Sequence, residues 1–267
     1  MPRPDHILTP NDRAQLVVLV FDVFRVGVFD PVTETFEVVT TGLPAGQQLY
    51  WGAALAGNGH VVFPLWTANN VGIFDPVTMT SSTVSVGAFA GAYDGAQFDG
   101  AATAHDGRVV MAPYGVNGLG VYSPWDHSFE VLFQNTLVPS GYLAPFFRGA
   151  TALADGRVAL NRQLAPNQVV VFDGDDDSLD AFDYSSQLNA ANLFREVITL
   201  NATRLMLMQW GTNHNVGVVD ITLTCDAAAY LPHDPHANDA RCAPLPPCTC
   251  CQAKIKKHGF YVNSVLP

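Results

Sequence analysis

Residues Val71 to Thr78 read VGIFDPVT, and the chain says nearly the same thing four more times: VGVFDPVT from Val26, LGVYSPWD from Leu119, VVVFDGDD from Val169 and VGVVDITL from Val216. Each copy is a short apolar run closed by an acid or a serine and, usually, a turn residue. That is how a buried strand entering a tight hairpin is written. The residues before the turn, Phe29, Phe74, Tyr122, Phe172 and Val219, recur about every 45 to 50 positions, a period that belongs either to β blades or to helical arrays.

A second landmark decides between these. Gly52-Ala53, Gly100-Ala101 and Gly149-Ala150 each precede one of these positions by a nearly constant interval, and Gly59, Gly107 and Gly156 follow them at a fixed offset. Gly107 and Gly156 lie in AHDGRVV and LADGRVA, where Asp-Gly supplies the positive φ of a two-residue hairpin turn. The repeat is therefore β. Each unit becomes strand A (Gly-Ala onward), a turn, strand B (GHVVF, GRVVM, GRVAL), a loop, strand C, a DPxT-like turn and strand D (TFEVV, SFEVL, SLDAF). Four antiparallel strands per repeat make one propeller blade. Blades pack face to face, so B and C should be continuously apolar and D, at the rim, should alternate. Strand A lies nearest the axis, where crowding permits only Gly-Ala.

The fold class is thus an all-β propeller of about five four-stranded blades, at roughly 5–40, 47–86, 95–134, 144–185 and 194–230, forming a domain over 1–231. The first blade lacks every glycine landmark, and in the fifth Glu196-Val197 and Thr203 stand where the others carry Gly-Ala and Gly. Residues 232–267 differ in composition. They hold all three lysines, Lys254, Lys256 and Lys257, and four of the five cysteines, and include the extended APLPP segment from Ala243. A separate, irregular tail is the expectation.

The net charge is −11, concentrated in the repeats, which argues against nucleic acid and anionic membrane as partners, because phosphate binding requires a basic patch. No stretch approaches membrane-spanning length and the N-terminus does not resemble a secretory signal, so a soluble cytoplasmic protein is expected. Asp173, Asp175 and Asp177 open like a calcium loop, but the sixth position is no glycine and Tyr184 stands where a bidentate Glu would be, so they read as a solvated acidic turn. His233, His236, Cys242, Cys248, Cys250, Cys251 and His258 match no common zinc spacing, and no nucleophile elbow, H-E-x-x-H or Walker loop is present. No cofactor is expected on the favoured reading.

The repeat register says where function would be written. In a propeller the D-to-A connections and B-to-C loops open on one face, so Trp51, Asp99, Arg148 and Arg195, each just before a Gly-Ala position, should line the channel mouth. The B-to-C loops add Trp66, Tyr114, Arg162, Trp210 and His214. Aromatics and arginines on one loop face suit a binding surface.

The pattern of GA, a turn Gly, [RH]-V-V and VGVFDPVT resembles the β-propellers with repeats in the mid-forties, including YVTN-type, streptogramin-lyase-like and SMP-30-like proteins, over residues 5–231. The kelch and WD40 signatures are missing. For the lactonase-like branch the resemblance implies a divalent metal in the channel; only Asp99 and Glu196 fall near such a position. Two readings follow. The favoured one is a non-enzymatic binding or scaffold propeller that takes a protein or small molecule on its loop face. The alternative is a hydrolase or lyase with a divalent ion held by Asp99 and Glu196 and with His214 as base.

Overall fold

The computed structural model describes residues 16–20, 25–40, 42–44, 49–86, 95–137, 146–162, 167–184, 194–201, 204–209, 215–220 and 260–264. Its strands form five antiparallel sheets, each a simple meander. The first contains β1 (Leu16–Val20), β2 (Arg25–Asp30) and β3 (Thr35–Thr40); the position of its strand A lies outside the described residues. The second runs β4 (Ala54–Leu55), β5 (Val61–Phe63), β6 (Asn70–Asp75) and β7 (Thr80–Ser85). The third is β8 (Phe98–Thr103), β9 (Val109–Pro113), β10 (Leu119–Ser123) and β11 (Ser128–Leu132), and the fourth β12 (Phe147–Ala152), β13 (Val158–Arg162), β14 (Gln168–Asp173) and β15 (Ser178–Asp183). The fifth joins β16 (Phe194–Asn201), β17 (Arg204–Gln209), β18 (Asn215–Asp220) and β19 (Phe260–Ser264). No α-helix occurs among the described residues, so none is long and apolar enough to cross a membrane.

Burial follows the blade logic. All of β9 and β13 is buried, β10 is buried except at its last residue, and the rim strands β7 and β11 expose alternate or successive residues. Apolar residues of neighbouring sheets fill the spaces between them: Val26 and Val28 with Val62, Phe63 and Phe74, then Val110 and Leu119 with Leu160 and Phe172, then Leu153 and Val171 with Leu205 and Val219.

The Gly-Ala landmarks sit where blades converge. A Cβ on Gly52 would lie 3.2 Å from the Cα of Gly100, one on Gly100 would lie 3.2 Å from the Cα of Gly149, and one on Gly149 would lie 3.3 Å from the Cα of Glu196. Gly100 has φ +84° and sits in the register shift between Phe98 and Ala101, so the glycine is the extra residue of a β-bulge and needs both the space and the left-handed backbone.

The A-to-B turns are longer than the two residues expected. Ala104 N donates to Arg108 O at 2.9 Å and Gly107 N to Ala104 O at 2.9 Å, and the same pair of bonds recurs at Leu153–Arg157 and Ala56–His60. These are three-residue loops, a tight turn whose last residue is a left-handed glycine (Gly107, φ +87°). Asp-Gly fits either loop, so the dipeptide alone could not distinguish them. The DPxT turns close through the aspartate: Asp75 Oδ1 accepts from Val77 N at 2.8 Å and Thr78 N at 3.3 Å, and Oδ2 accepts from the Thr78 hydroxyl at 2.7 Å.

The fifth blade corrects the expected boundary. Its outer strand is not drawn from residues before Leu231 but from the tail: Phe260 pairs with Val219, Val262 with Gly217 and Ser264 with Asn215. Phe260-Tyr261-Val262 is a strong strand former, and the tail's unusual composition hid it. Deleting residues 260–267 leaves β18 as an open edge and is expected to cost about 2 kcal/mol, lowering the unfolding midpoint by about 4–8 °C in a chain of this size. An unchanged midpoint in a thermal melt would show that β19 contributes nothing to the blade.

Candidate functional site

The loop face is assembled by a backbone pattern that repeats from blade to blade. In the second blade Leu49 O, three residues before Gly52, accepts from Trp66 N at 2.7 Å, fixing the B-to-C loop to the strand A entry. Gln97, three residues before Gly100, does the same for Tyr114 N at 2.8 Å and reaches back, donating its own amide to Trp66 O at 2.8 Å. Phe146, three before Gly149, donates to Tyr114 O at 2.9 Å. The entry segments of the third and fourth blades thus bridge the preceding blade's loop, and D-to-A connections and B-to-C loops share one face, as expected. Gln97 is the residue sequence reasoning missed. Its backbone does the work, so no side-chain signal marks it, although its offset from the glycine was legible.

On this framework the side chains meet across blades. The Trp51 and Trp66 rings are 5.2 Å apart at 37°, and Trp66 and Tyr114 are 4.6 Å apart at 50°. Arg148, on β12, lies with its Cζ 4.4 Å over the Tyr114 ring, donates from Nη2 to the Tyr114 hydroxyl at 2.9 Å and from Nη1 to Asp99 Oδ2 at 2.8 Å. Arg195, from the fifth blade, places its Cζ 6.0 Å from the Trp51 ring of the second. The four positions before Gly-Ala, Trp51, Asp99, Arg148 and Arg195, are therefore joined, with Trp66 and Tyr114 beside them. Glu196 belongs to the same group: it feels the charges of Asp99, Arg195 and Arg148, and its Oε2 occupies the space where Gly149 has no side chain.

One expected member behaves differently, and two fall where nothing is described. Arg162 ends β13 buried, 3% exposed, with Nη1 donating to Gln168 Oε1 at 3.3 Å, so it is an interior strand residue and not an exposed loop residue. Trp210 and His214 lie outside the described residues. Two acids of the Asp173–Asp177 turn pair across blades: Asp175 lies 2.7 Å from His105 Nε2 and Asp177 2.6 Å from Arg108 Nη2, so these acids clasp the third blade's hairpin to the fourth blade.

Electrostatics at the mouth are costly. Asp99 is 1% exposed. Burial pushes its carboxyl above the ordinary range more than the charges of Arg148 and Arg195 pull it down. Burial and the neighbouring Asp99 likewise raise Glu196, against the two arginines. A carboxyl that binds its proton more tightly folded than unfolded subtracts stability as pH climbs from the unfolded value through the folded one. Glu196→Gln is therefore expected to raise the unfolding midpoint above wild type at pH 7 and to match it at pH 4, in paired thermal melts. A larger gain at pH 4 than at pH 7 would reverse the sign and contradict the placement of Glu196.

Known structures with this arrangement of sheets identify the architecture. This chain has a β-propeller fold. It is similar to a catalytically inactive virginiamycin B lyase from Staphylococcus aureus solved with quinupristin, with a TM-score of 0.61 and 13% identity over 76% of this chain and 62% of that one. A streptogramin B lyase structure gives a TM-score of 0.58 at 14% identity, over 79% of this chain and 66% of that one. The structure of U3-55K gives 0.58 at 12%, over 80% and 59%. The chain thus spans less than two thirds of the length of the first of these propellers. No protein-family model matches the chain, and no curated protein matches it. At such identities the likeness shows the fold alone, and it agrees with the resemblance read from the repeats.

Proposed function

We propose that the protein is a binding propeller that takes a protein or small-molecule partner on its B-to-C loop face, with the Trp51, Trp66 and Tyr114 rings as the contact surface and Arg148 and Arg195 beside them. The observation that carries this is the row of three touching aromatic rings contributed by two blades and held by an arginine from a third. Half-buried rings with fixed geometry offer large contact area at low entropic cost, the property of interface anchors.

The metal-dependent reading fits the residues poorly. Asp99 already accepts a hydrogen bond from the Arg148 guanidinium, a cation standing where a metal would have to stand, and among the described residues no three of His, Cys, Asp and Glu come together to hold an ion. An enzyme of that kind would depend on groups beyond Asp99 and Glu196.

The test is a fragment screen by ligand-observed NMR on the wild type and on the Trp66→Ala/Tyr114→Ala variant. Hits that bind the wild type should be lost or weakened by about 30-fold or more in the variant, the effect of removing an anchor worth about 2 kcal/mol, while the unfolding midpoint stays put. Hits unaffected by the double change place binding elsewhere, and a variant that unfolds makes the rings packing residues.

A further inference from the structure

Neighbouring blades meet through two kinds of sheet face, one turned toward the following blade and one toward the preceding blade. Val110, Ala112 and Ala159 look forward and are wholly buried. Phe129 and Val131 of the third blade and Leu179 of the fourth look back and pack into the apolar clusters of those joints. The repeat register carries the same positions to both ends of the series, where they are apolar and exposed. On the fifth blade Met208, in the position of Ala112, is 44% exposed and Ile198 is exposed beside it, while Leu205 and Leu207 on the other side of the same sheet are buried. On the first blade Phe36, in the position of Phe129, is 57% exposed, and Val38, in the position of Val131, is exposed as well. A sheet face that meets water is written polar. These two are written as the halves of a joint, and within one chain they do not cover each other.

The charges at these faces match too. Where the third blade meets the fourth, Arg108 Nη2 donates to Asp177 Oδ1 at 2.6 Å. Arg204 holds the position of Arg108 on the fifth blade, and on the first Glu34, with φ +54°, holds that of Asp177, with φ +55°. Glu34 is exposed, and so is 54% of the Arg204 side chain, although its Nε also meets Asp220 Oδ1 at 2.7 Å. The forward face of the fifth blade thus carries the cation, and the backward face of the first the anion, of a pairing that the fold already makes.

We infer that a second copy of this chain covers these faces: the fifth blade of one copy packs against the first blade of the next, head to tail, and the series of blades runs on from one molecule into another. The complement of each face lies on the same chain, so a second copy supplies it without any other partner. Pairing of like faces is disfavoured, because it would bring two Arg204 or two Glu34 side chains together. The interface is therefore heterologous, with different patches meeting.

The test is sedimentation velocity on the full chain across a concentration series. The wild type should reach twice the monomer mass or more by about 100 μM, a range that reveals association with a Kd near 10 μM or tighter. Phe36→Lys and Met208→Lys each place a charge in the joint and should weaken association by about tenfold or more. An equimolar mixture of the two should associate again, because one variant keeps an intact fifth-blade face and the other an intact first-blade face. Glu34→Lys and Arg204→Glu should complement each other in the same way, and they serve if either apolar variant fails to fold, since both replace exposed polar side chains. A wild type that stays monomeric throughout overturns the proposal. So does a variant that associates alone as tightly as the wild type, or a mixture that associates no better than its components.

Discussion

Replacing Arg148 with Met is expected to destabilise the protein by about 3–5 kcal/mol at pH 7, the cost of leaving a buried charge without its partner. Asp99 is the charge left behind: it is almost wholly buried and receives the Arg148 Nη1 bond at 2.8 Å. Its pKa is already pushed up by burial, and losing the guanidinium pushes it further, so the deficit has a definite pH dependence. As pH falls Asp99 takes up a proton and the uncompensated charge disappears. The gap between variant and wild type should therefore narrow steadily toward pH 4, and Asp99→Asn in the Arg148→Met background should recover much of it at pH 7. Chemical denaturation at two pH values checks this. A deficit that is small, or independent of pH, would mean that the pair is solvated and the mouth more open than the geometry shows.

Gly100→Val is expected to cost a comparable amount, about 3–5 kcal/mol, from two sources that add. The backbone at φ +84° is one that a β-branched residue hardly adopts. The new Cβ also meets the Cα of Gly149 at 3.2 Å, with further atoms to place against the backbone of the next blade. Gly42→Ala is the matched control, since its Cβ would meet only the Ser81 Oγ, at 3.7 Å, and should stay within about 0.5 kcal/mol of wild type. Gly118, though it falls in a loop, is no such control: a Cβ there would lie 2.4 Å from Val131 Cγ1. If Gly100→Val proves as mild as Gly42→Ala, the blades do not converge at the Gly-Ala positions.

Much of this fold was legible because the repeat is written in residues with narrow physical meaning. Gly52, Gly100 and Gly149 marked strand A because close backbone approach admits nothing larger, and the continuous apolar runs of β9 and β13 marked strands buried on both faces. What was lost depended on partners distant in sequence. Phe260–Ser264 could not be assigned to the fifth blade by period, because the residues that separate it from β18 break the spacing on which the period rests. The acids of the Asp173–Asp177 turn read as solvated, and Asp175 is exposed and Asp177 partly so; that they also face His105 and Arg108 of another blade was not legible.

The mouth was legible to a similar degree and for a similar reason. Counting one residue back from each Gly-Ala named Trp51, Asp99, Arg148 and Arg195, and the structure joins them. The same counting gave Arg162 as a loop residue, when β13 continues through it and buries it. Position in a repeat fixes which face a residue is on; how far a strand runs before its loop begins is set by local packing, which the period does not carry. That Asp99 would be paired with Arg148 while Glu196 stays without a hydrogen bond among the described residues was beyond sequence reasoning, since side-chain reach across blades decides it.

The most direct test of the account is a crystal structure of the protein soaked with the tightest-binding fragment from the screen. The account predicts density for the fragment within about 4 Å of the Trp66 and Tyr114 rings, the distance of apolar contact. Density at another surface, with the Trp51–Trp66–Tyr114 ledge bare, would contradict it.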